Sequence, residues 1–507
     1  MIAAVKRTVV VVATALLLWA TAATAATGPA GAAPADPNVA VAVAVANPDT
    51  VTDPDPSHTA LAIPTHPYLP PAAGLHDSFY PWMGNRGYDV THYDLRLTVE
   101  PATNTLDGWT GIDAVAETTL DEFYLDLAGL EVTAVEVDDA PAEFSRIEDE
   151  LRVTPAAPIP AGSGFTVAVS TAGSPQPLAD RGVPFTSLGW FSRDGVIYTA
   201  NEPSGAMSWF PSNNHPTDKA TFQITINVPE HLTAASNGLL VSETVEDGRR
   251  TAVWQMNDPM ATYLAAVYIG DFDRHSQRLR DDLLIRNYIP ASFNSQQTRA
   301  TLDKLAVTQD AIEYFEGILG PYPYDAYGTI VLPFSTGFAL ENQTLSVHGR
   351  WMLSSRVIAH ELVHQWIGNS VTANDWSDVW LHEGFAHYLS LMYEAHVSGA
   401  DLNTRMAREL SAAIAAGAGP PADITISQMF DFRVTYQRGA LALHDLHRHL
   451  GDDAFGRLLR RHYDYSAGGT THTDEFLYFV NEAGGWQAAA VIMPWLYNTH
   501  IPSGFTG

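Results

Sequence analysis

The sequence contains no cysteine and very little lysine. The absence of cysteine from 507 residues excludes disulfide bonds and thiolate metal sites, so any bound metal must be held by histidine and carboxylate side chains. The lysines are Lys6, Lys219 and Lys304, and Asp plus Glu outnumber Lys plus Arg by 57 to 27. The resulting net charge of -30 repels phosphate backbones, which argues against nucleic acid as a partner.

Long apolar runs are also scarce, and the clearest lies near the N-terminus at residues 9–20. Lys6 and Arg7 precede it, and the small residues Ala23-Thr24-Ala25 follow it, which is the pattern of a secretory signal peptide over residues 1–26. The run is too short to span a bilayer comfortably, although an uncleaved anchor is the alternative. We therefore expect a secreted protein that has no membrane contact once the signal is cleaved.

Composition divides the remaining chain into three parts. Residues 27–77 are rich in Ala, Pro and Val and predict a disordered tether. Residues 78–275 contain short stretches of alternating apolar and polar residues, which predict a mostly antiparallel β domain. Residues 276–507 show mainly helical spacing and predict a helix-rich domain. The expected fold class is therefore α+β and multidomain, with the chemistry in the second domain.

A candidate zinc site is the strongest motif, and it begins with the sequence HELVH at residues 360–364. Residues four apart on a helix share a face, so His360 and His364 can bind one cation, while Glu361 can reach a water molecule beside it. Glu383 follows His364 by nineteen residues and can act as a third ligand from a second helix. Two imidazoles and one carboxylate leave a fourth position open, as catalytic zinc requires. We expect one Zn²⁺ per chain, with Glu361 as general base towards a zinc-activated water.

Further motifs lie on both sides of the zinc motif within residues 78–505. Together with it they are GYDVTHYDL at 87–95, GPYPY at 320–324, HELVHQWIGNSVT at 360–372, WLHEGFA at 380–386 and PWLY at 494–497. This set resembles the aminopeptidase N family of gluzincins, which includes the leukotriene hydrolase. The resemblance implies a saddle-like N-terminal β-sheet domain, a thermolysin-like catalytic domain and hydrolysis of N-terminal peptide bonds.

The resemblance also implies roles for residues outside the zinc motif. The segment FALEN at 338–342 is similar to the family's substrate strand, so Ala339, Glu341 and Asn342 are expected to bind substrate, with Glu341 at the free α-ammonium group. Phe338 departs from the family's glycine. Glu202, in NEP at 201–203, is similar to a second amine anchor. Tyr436, in YQRGA at 436–440, is similar to the family's oxyanion-stabilising tyrosine, with Arg438 in place of lysine.

Alternatives to a zinc aminopeptidase remain open at the level of sequence. The same zinc site could serve an endopeptidase or an epoxide hydrolase, and a secreted pseudoenzyme that only binds a partner is a further alternative. The expected partners are peptides with a free N-terminus, and the oligomeric state and preferred residue are not predicted. Larger family members carry a further helical domain over the active site, so a more open cleft is expected here. Asp375 and Asp378 could orient a ligating imidazole.

Overall fold

The computed structural model describes residues 74–183 and 186–505. The predicted signal peptide and nearly all of the predicted tether lie outside these residues. In the described part, strands dominate the first half and helices the second, so the predicted α+β class is confirmed. Within the same ranges, no helix has the length and apolar character needed to cross a bilayer.

The first domain is built from strands connected by short turns. In chain order they are β1 (Tyr88–Glu100), β2 (Thr105–Ala116), β3 (Phe123–Asp126), β4 (Glu131–Val137), β5 (Ala140–Pro141), β6 (Glu143–Ile147), β7 (Glu150–Thr154), β8 (Gly164–Gly173), β9 (Leu178–Ala179), β10 (Ser187–Arg193), β11 (Val196–Ala200), β12 (Lys219–Pro229), β13 (Thr233–Ser236), β14 (Leu239–Glu246), β15 (Arg249–Ala261) and β16 (Val267–Gly270). They form an eight-stranded sheet in the order β14-β15-β12-β1-β2-β8-β4-β5, a five-stranded sheet in the order β13-β16-β11-β10-β9 and a three-stranded sheet in the order β3-β7-β6.

Strand β1 shows why this part of the chain forms sheets. Its apolar side chains alternate with polar ones, so Tyr93, Leu95 and Leu97 are buried on one face while Arg96 is exposed on the other. Leu95 pairs with Thr110 of β2 in antiparallel register and with Ile224 of β12 in parallel register. The strand is therefore the centre of the large sheet.

A further five-stranded sheet connects the two halves of the chain. Its strands are β17 (Phe272–Arg280), β18 (Leu283–Pro290), β19 (Ala326–Val331), β20 (Ala339–Leu340) and β21 (Ser346–His348), in the order β17-β18-β19-β21-β20. The boundary proposed between residues 275 and 276 falls inside β17. Strand β20 lies at the edge of this sheet, antiparallel to β21. A small parallel pair, β22 (Thr372–Ala373) and β23 (Thr470–Thr471), lies in the helical part.

The second domain consists mainly of helices. The α-helices are α1 (Ser295–Leu305), α2 (Val307–Leu319), α3 (Ser355–His364), α4 (Trp380–Ser398), α5 (Leu402–Ala416), α6 (Gly439–Leu450), α7 (Asp452–Ser466) and α8 (Thr473–Tyr497), and a π-helix spans Phe432–Arg438. Short 3₁₀ helices span Gly205–Ser208, Thr262–Leu264, Trp376–Asp378 and Ile426–Gln428.

Local capping and a shared core hold these elements in place. The Asn294 and Gln297 side chains form a capping box at the start of α1, and the Asp401 side chain caps α5, which ends at Gly417 in the left-handed conformation. A contiguous cluster of buried apolar side chains extends from Tyr80 in the first domain to Leu496 in α8. The two domains therefore share a core, and the site described next lies where they meet.

Candidate functional site

Helices α3 and α4 bring three predicted metal ligands together. The Ser354 side chain accepts a hydrogen bond from the Val357 amide and starts α3. The ring centroids of His360 and His364 are 4.7 Å apart, as expected for residues one turn apart. Glu383 from α4 places its Oε2 atom 3.2 Å from Nε2 of His360 and 3.6 Å from Nε2 of His364. All three side chains are fully buried.

The three side chains fit a zinc ion, as their free atoms and their electrostatics show. The Nδ1 atom of His364 lies 3.2 Å from the Ile367 carbonyl oxygen and donates its proton there, so Nε2 is directed towards Glu383 and can bind either a proton or a metal ion. Among the described residues, neither His364 Nε2 nor Glu383 Oε1 has a hydrogen-bond partner. Burial opposes a charge on His364, yet Glu341 and Glu383 raise its pKa to about 10. The surroundings therefore favour a cation, and two imidazoles with a carboxylate are donors that zinc accepts.

Glu361 is the predicted general base, and it lies next to the ligands without contacting a donor. Its side chain is fully buried, and neither carboxylate oxygen finds a hydrogen-bond partner in the described ranges. Burial is the main cause that raises the pKa of Glu361, and it is opposed by His364 and reinforced by Glu341. A carboxylate whose pKa is raised accepts a proton more readily at neutral pH.

Tyr436 faces the same site from the π-helix. Its ring is nearly parallel to the His360 ring, with centroids 6.0 Å apart, and its hydroxyl group bonds to no described residue. A close approach of two glycines makes this position accessible: a Cβ atom added to Gly384 would lie 3.0 Å from the Cα atom of Gly439. Gly384 directly follows Glu383, so the glycine pair allows the tyrosine helix to approach the ligand helix. Single π-helical turns of this kind are frequent at functional sites.

The predicted substrate strand is β20 with the turn that follows it. Ala339 pairs with His348 of β21, and the outer side of β20 is the sheet edge. The Glu341 carboxylate is fully buried, and both of its oxygens lack a partner among the described residues. Asn342, in contrast, uses its side chain within the protein: it accepts from the Tyr268 hydroxyl at 2.8 Å and donates to the Leu264 carbonyl at 3.2 Å.

The first domain contributes Glu202 to this site. The preceding residue fixes the segment, because the Asn201 side chain donates to the Ala265 carbonyl at 2.6 Å and accepts from Trp209 at 3.2 Å. Carboxylate oxygens of Glu202, Glu341 and Glu383 lie within 4.8 Å of one another. Burial, followed by Glu341 and Glu383, raises the pKa of Glu202. These three buried carboxyl groups therefore form a cluster that includes Glu383, one of the predicted metal ligands.

Two features of the surroundings differ from the sequence-based interpretation. Asp375 and Asp378 were predicted as partners of an imidazole, but their carboxylates bond elsewhere. Asp375 accepts a hydrogen bond from the Ser377 amide and Asp378 accepts one from the Thr473 amide, so both stabilise chain turns next to α4 and α8. Conversely, sequence reasoning gave no role to Gln365 and Asn369. Their side-chain amides both donate to the Glu341 carbonyl, at 2.9 and 2.8 Å. The only signal for them in the sequence is that two amide side chains lie within nine residues of His360, in a segment whose side chains are all buried.

Comparison with known proteins agrees with this geometry. Residues 303–495 match the Peptidase family M1 domain, and residues 191–264 match the Peptidase M1 N-terminal domain. Aminopeptidase M1 of Arabidopsis thaliana is 28% identical over 443 residues, which are 79% of this chain and 49% of that protein. Human endoplasmic reticulum aminopeptidase 1 is 27% identical over 405 residues, which are 72% of this chain and 42% of that protein. The chain thus spans about half the length of these relatives, or less.

Solved structures match over nearly their whole length. An M1 zinc metallopeptidase from Deinococcus radiodurans is 30% identical, with a TM-score of 0.79, and the match covers 86% of this chain and 99% of that one. A mutant of the same enzyme bound to a Tyr-Ser-Ala substrate matches with a TM-score of 0.78 at the same identity and coverage. The fold, the ligand constellation and these likenesses lead to one conclusion: the chain belongs to the M1 family of zinc metallopeptidases.

Proposed function

We propose that this protein is a secreted zinc aminopeptidase that removes residues from the free N-termini of peptides. One observation carries the proposal: Glu202 and Glu341 place unpartnered, buried carboxylates next to the ligand Glu383. Unpaired buried carboxylates are unfavourable unless a cation meets them, and the α-ammonium group of a peptide is such a cation. The names of the M1 relatives, which are aminopeptidases, support the same activity.

Substrate binding follows from the arrangement of these groups. The α-ammonium group binds Glu341 and Glu202, and the first residues of the peptide extend along the open edge of β20 near Ala339, where backbone groups can pair with a further strand. Asn342 supports this segment through Tyr268 and Leu264. An N-acetylated peptide presents no cation to the carboxylates, so it binds poorly.

The residues around the scissile bond then assist hydrolysis. His360, His364 and Glu383 would hold zinc, which would supply Lewis acidity to polarise a carbonyl group and to lower the pKa of water towards neutrality. Glu361 accepts the proton of the attacking water and transfers it to the leaving amine. The Tyr436 hydroxyl, which has no partner among the described residues, donates a hydrogen bond to the oxyanion as it forms.

The decisive experiment compares free and blocked substrates. We expect the protein to contain one zinc per chain and to cleave aminoacyl amides with a free amine at least a hundred-fold faster than their N-acetylated copies. Glu361→Gln is the inactive reference. Glu341→Gln keeps the side-chain shape but removes its charge, so it should lower the rate with free amines and leave the zinc content unchanged. Equal cleavage of free and blocked substrates would instead favour an endopeptidase.

Secretion is tested separately. Residues 1–26 carry the signal pattern and lie outside the described residues. We expect the mature protein in the medium of its host to begin after this segment, and mass spectrometry of the N-terminal peptide measures this directly. Recovery of the intact N-terminus from a membrane fraction would instead support an uncleaved anchor.

A further inference from the structure

The position of the Glu341 carboxylate depends on its backbone. The side-chain oxygens bond to no described residue, so no side-chain contact fixes them before substrate binds. The Glu341 carbonyl oxygen, in contrast, accepts two hydrogen bonds, from Gln365 Nε2 at 2.9 Å and from Asn369 Nδ2 at 2.8 Å. The amine anchor is therefore placed by amides that belong to the metal-binding segment.

Gln365 holds both ends of the turn that carries the anchor. While its Nε2 atom bonds to the Glu341 carbonyl, its Oε1 atom accepts a hydrogen bond from the Thr344 amide at 2.8 Å. Thr344 has a φ of 64°, a left-handed conformation that is unusual for a β-branched residue and needs support from its surroundings. One planar amide thus fixes the turn at both of its ends.

Gln365 directly follows the metal ligand His364 in the chain. Because the Gln365 amide is fully buried and makes two short hydrogen bonds to the turn, the turn can move little relative to the end of α3. In an aminopeptidase, the separation between the amine anchor and the metal ligands determines which peptide bond reaches the reacting groups. A displacement of about 1 Å can lower a rate about a hundred-fold.

Asn369 is itself held from the first domain. The partly buried Lys219 side chain, at the start of β12, donates from its ammonium group to the carbonyl oxygens of Asn369 at 3.2 Å, Ser370 at 2.8 Å and Gly469 at 2.6 Å. Three carbonyl oxygens around one ammonium group fix the loop after α3. The second amide on Glu341 is therefore attached to a loop that both domains hold in place.

We propose that Gln365, assisted by Asn369, is a positioning residue that sets the separation between Glu341 and the metal ligands and so enforces cleavage after the first residue. The proposal rests on the proposed aminopeptidase function. It assigns to Gln365 an effect on substrates with a free amine and none on zinc binding, because its amide bonds to backbone groups of Glu341, Thr344 and Glu361 and, among the described residues, to no ligand side chain.

The test uses Gln365→Met, which conserves the volume but removes the amide hydrogen bonds to Glu341 and Thr344 and the longer one to the Glu361 carbonyl at 3.4 Å. We expect the ratio of kcat/KM for a free aminoacyl amide to that for its N-acetylated copy to fall at least ten-fold, mainly through kcat for the free amine. Zinc content and the rate with the acetylated substrate should stay as in the unmodified protein. Asn369→Ala, which leaves the Gln365 contacts intact, should lower the ratio by a smaller factor, and it serves if Gln365→Met does not fold.

Gln343→Met is the matched control. Gln343 lies in the same turn and is equally buried, but its amide bonds to the Pro259 carbonyl at 3.4 Å. An unchanged ratio in folded Gln365→Met or in Asn369→Ala would overturn the proposal, and so would an equal fall in Gln343→Met. If the unmodified protein shows no preference for the free amine, the proposed function fails first, and that result is visible before any variant is made.

Discussion

At Tyr436, the ring contributes to packing, whereas the hydroxyl group is the part that we propose acts in catalysis. The ring packs near His360 and Phe432, whereas the hydroxyl bonds to none of the described residues. Tyr436→Phe should therefore leave the unfolding free energy within about 0.5 kcal/mol of the unmodified value. In the role that we propose for it, the hydroxyl stabilises only the developing oxyanion, so kcat should fall by about 10² to 10³ with little change in KM. Steady-state kinetics and denaturant unfolding measure both. A rise in KM with unchanged kcat would assign the hydroxyl to substrate binding instead.

Zinc removal should reveal how the buried carboxylates depend on a cation. Burial, Glu341 and Glu383 raise the pKa of Glu202, so without a cation beside it Glu202 keeps a proton more readily than a carboxyl group in water does. Chelation should lower the unfolding free energy by about 3 kcal/mol relative to protein in zinc at a hundred times its dissociation constant.

Glu341→Gln tests how much the Glu341 carboxylate contributes to this loss of stability. With one buried charge fewer, the zinc-free variant should be more stable than the zinc-free unmodified protein, although both lose the same ligand-linked term. Thermal unfolding of the loaded and the chelator-treated proteins gives the four values needed. A zinc-free variant that is no more stable than the zinc-free unmodified protein would show that repulsion among the carboxylates does not affect stability.

Sequence spacing predicts only those site residues that lie on one helix. The pattern HELVH placed His360 and His364 on one helical face, because helical geometry is local and needs no tertiary contact. Spacing gives no reason to expect Glu202 or Glu341 at the site, and both were predicted only from the resemblance to a family. The fold brings them together from distant parts of the chain. Gln365 and Asn369 escaped detection because a hydrogen bond to a backbone carbonyl leaves no trace in a sequence pattern.

Among the elements, the π-helix that carries Tyr436 depends on Arg438 at its end. The Arg438 guanidinium donates to the carbonyl oxygens of Trp495 and Ala418, both at 2.8 Å, and also to that of Asn498. Burial lowers its pKa only to about 10, so it is charged at neutral pH. Its planar fork directs donors in fixed directions to Ala418 and to the end of α8, and the compact ammonium group of lysine does not reproduce these directions.

Arg438→Lys should therefore destabilise the protein by about 2 kcal/mol, since at least one buried carbonyl loses a charged donor. It should also lower kcat, because the π-helix holding Tyr436 loses its attachment to the end of α8. The exposed Arg433→Lys in the same π-helix is the matched control and should change neither value. Denaturant unfolding and kcat measurements on both variants decide the matter, and equal effects in the two would contradict this role for Arg438.

The elements themselves were predictable to different degrees. The apolar alternation of β1 and the helical spacing of α2 follow from local periodicity, which is why the order of sheets and helices agrees with expectation. The π-helix has no such signal, and the glycine that follows it, Gly439, meets Gly384 of α4 in a tertiary contact that no local pattern shows. Strand β20 has only two residues and is defined by its pairing with β21, which no local pattern shows.

At the scale of the whole molecule, the site depends on both domains. The first domain supplies Glu202 and also Lys219, which bonds to the Asn369 carbonyl across 150 positions of sequence. Contacts between residues so far apart in sequence form only when the domains pack together, so a single sequence gives no basis for predicting them. The shared core explains why they persist: the two domains bury a common set of apolar side chains.

Buried acids in the first domain make the stability of the whole protein depend on pH. Burial, reinforced by Asp89 and Glu117, raises the pKa of Asp218 to about 8, compared with about 3.9 in an unfolded chain. The folded state therefore holds a proton that the unfolded state has lost. The stabilisation from that proton is complete below the unfolded pKa and disappears as the pH rises through the folded pKa. From pH 5 to pH 7, Asp218 alone should lower the unfolding free energy by about 2.5 kcal/mol.

Asp218→Asn isolates this contribution, because the amide resembles the protonated acid and cannot ionise. Its unfolding free energy should fall less from pH 5 to pH 7 than that of the unmodified protein, and the difference should be about 2.5 kcal/mol. Burial lowers the pKa of Lys219 to about 7, so this lysine acts in the opposite direction mainly above that pH and adds little within the chosen interval. Urea unfolding at the two pH values, with the exposed Asp113→Asn as control, gives the comparison. If Asp218→Asn and the unmodified protein lose the same free energy, Asp218 is ionised in the folded state throughout this range, and the neighbouring donors Asn213 and Val90 outweigh its burial.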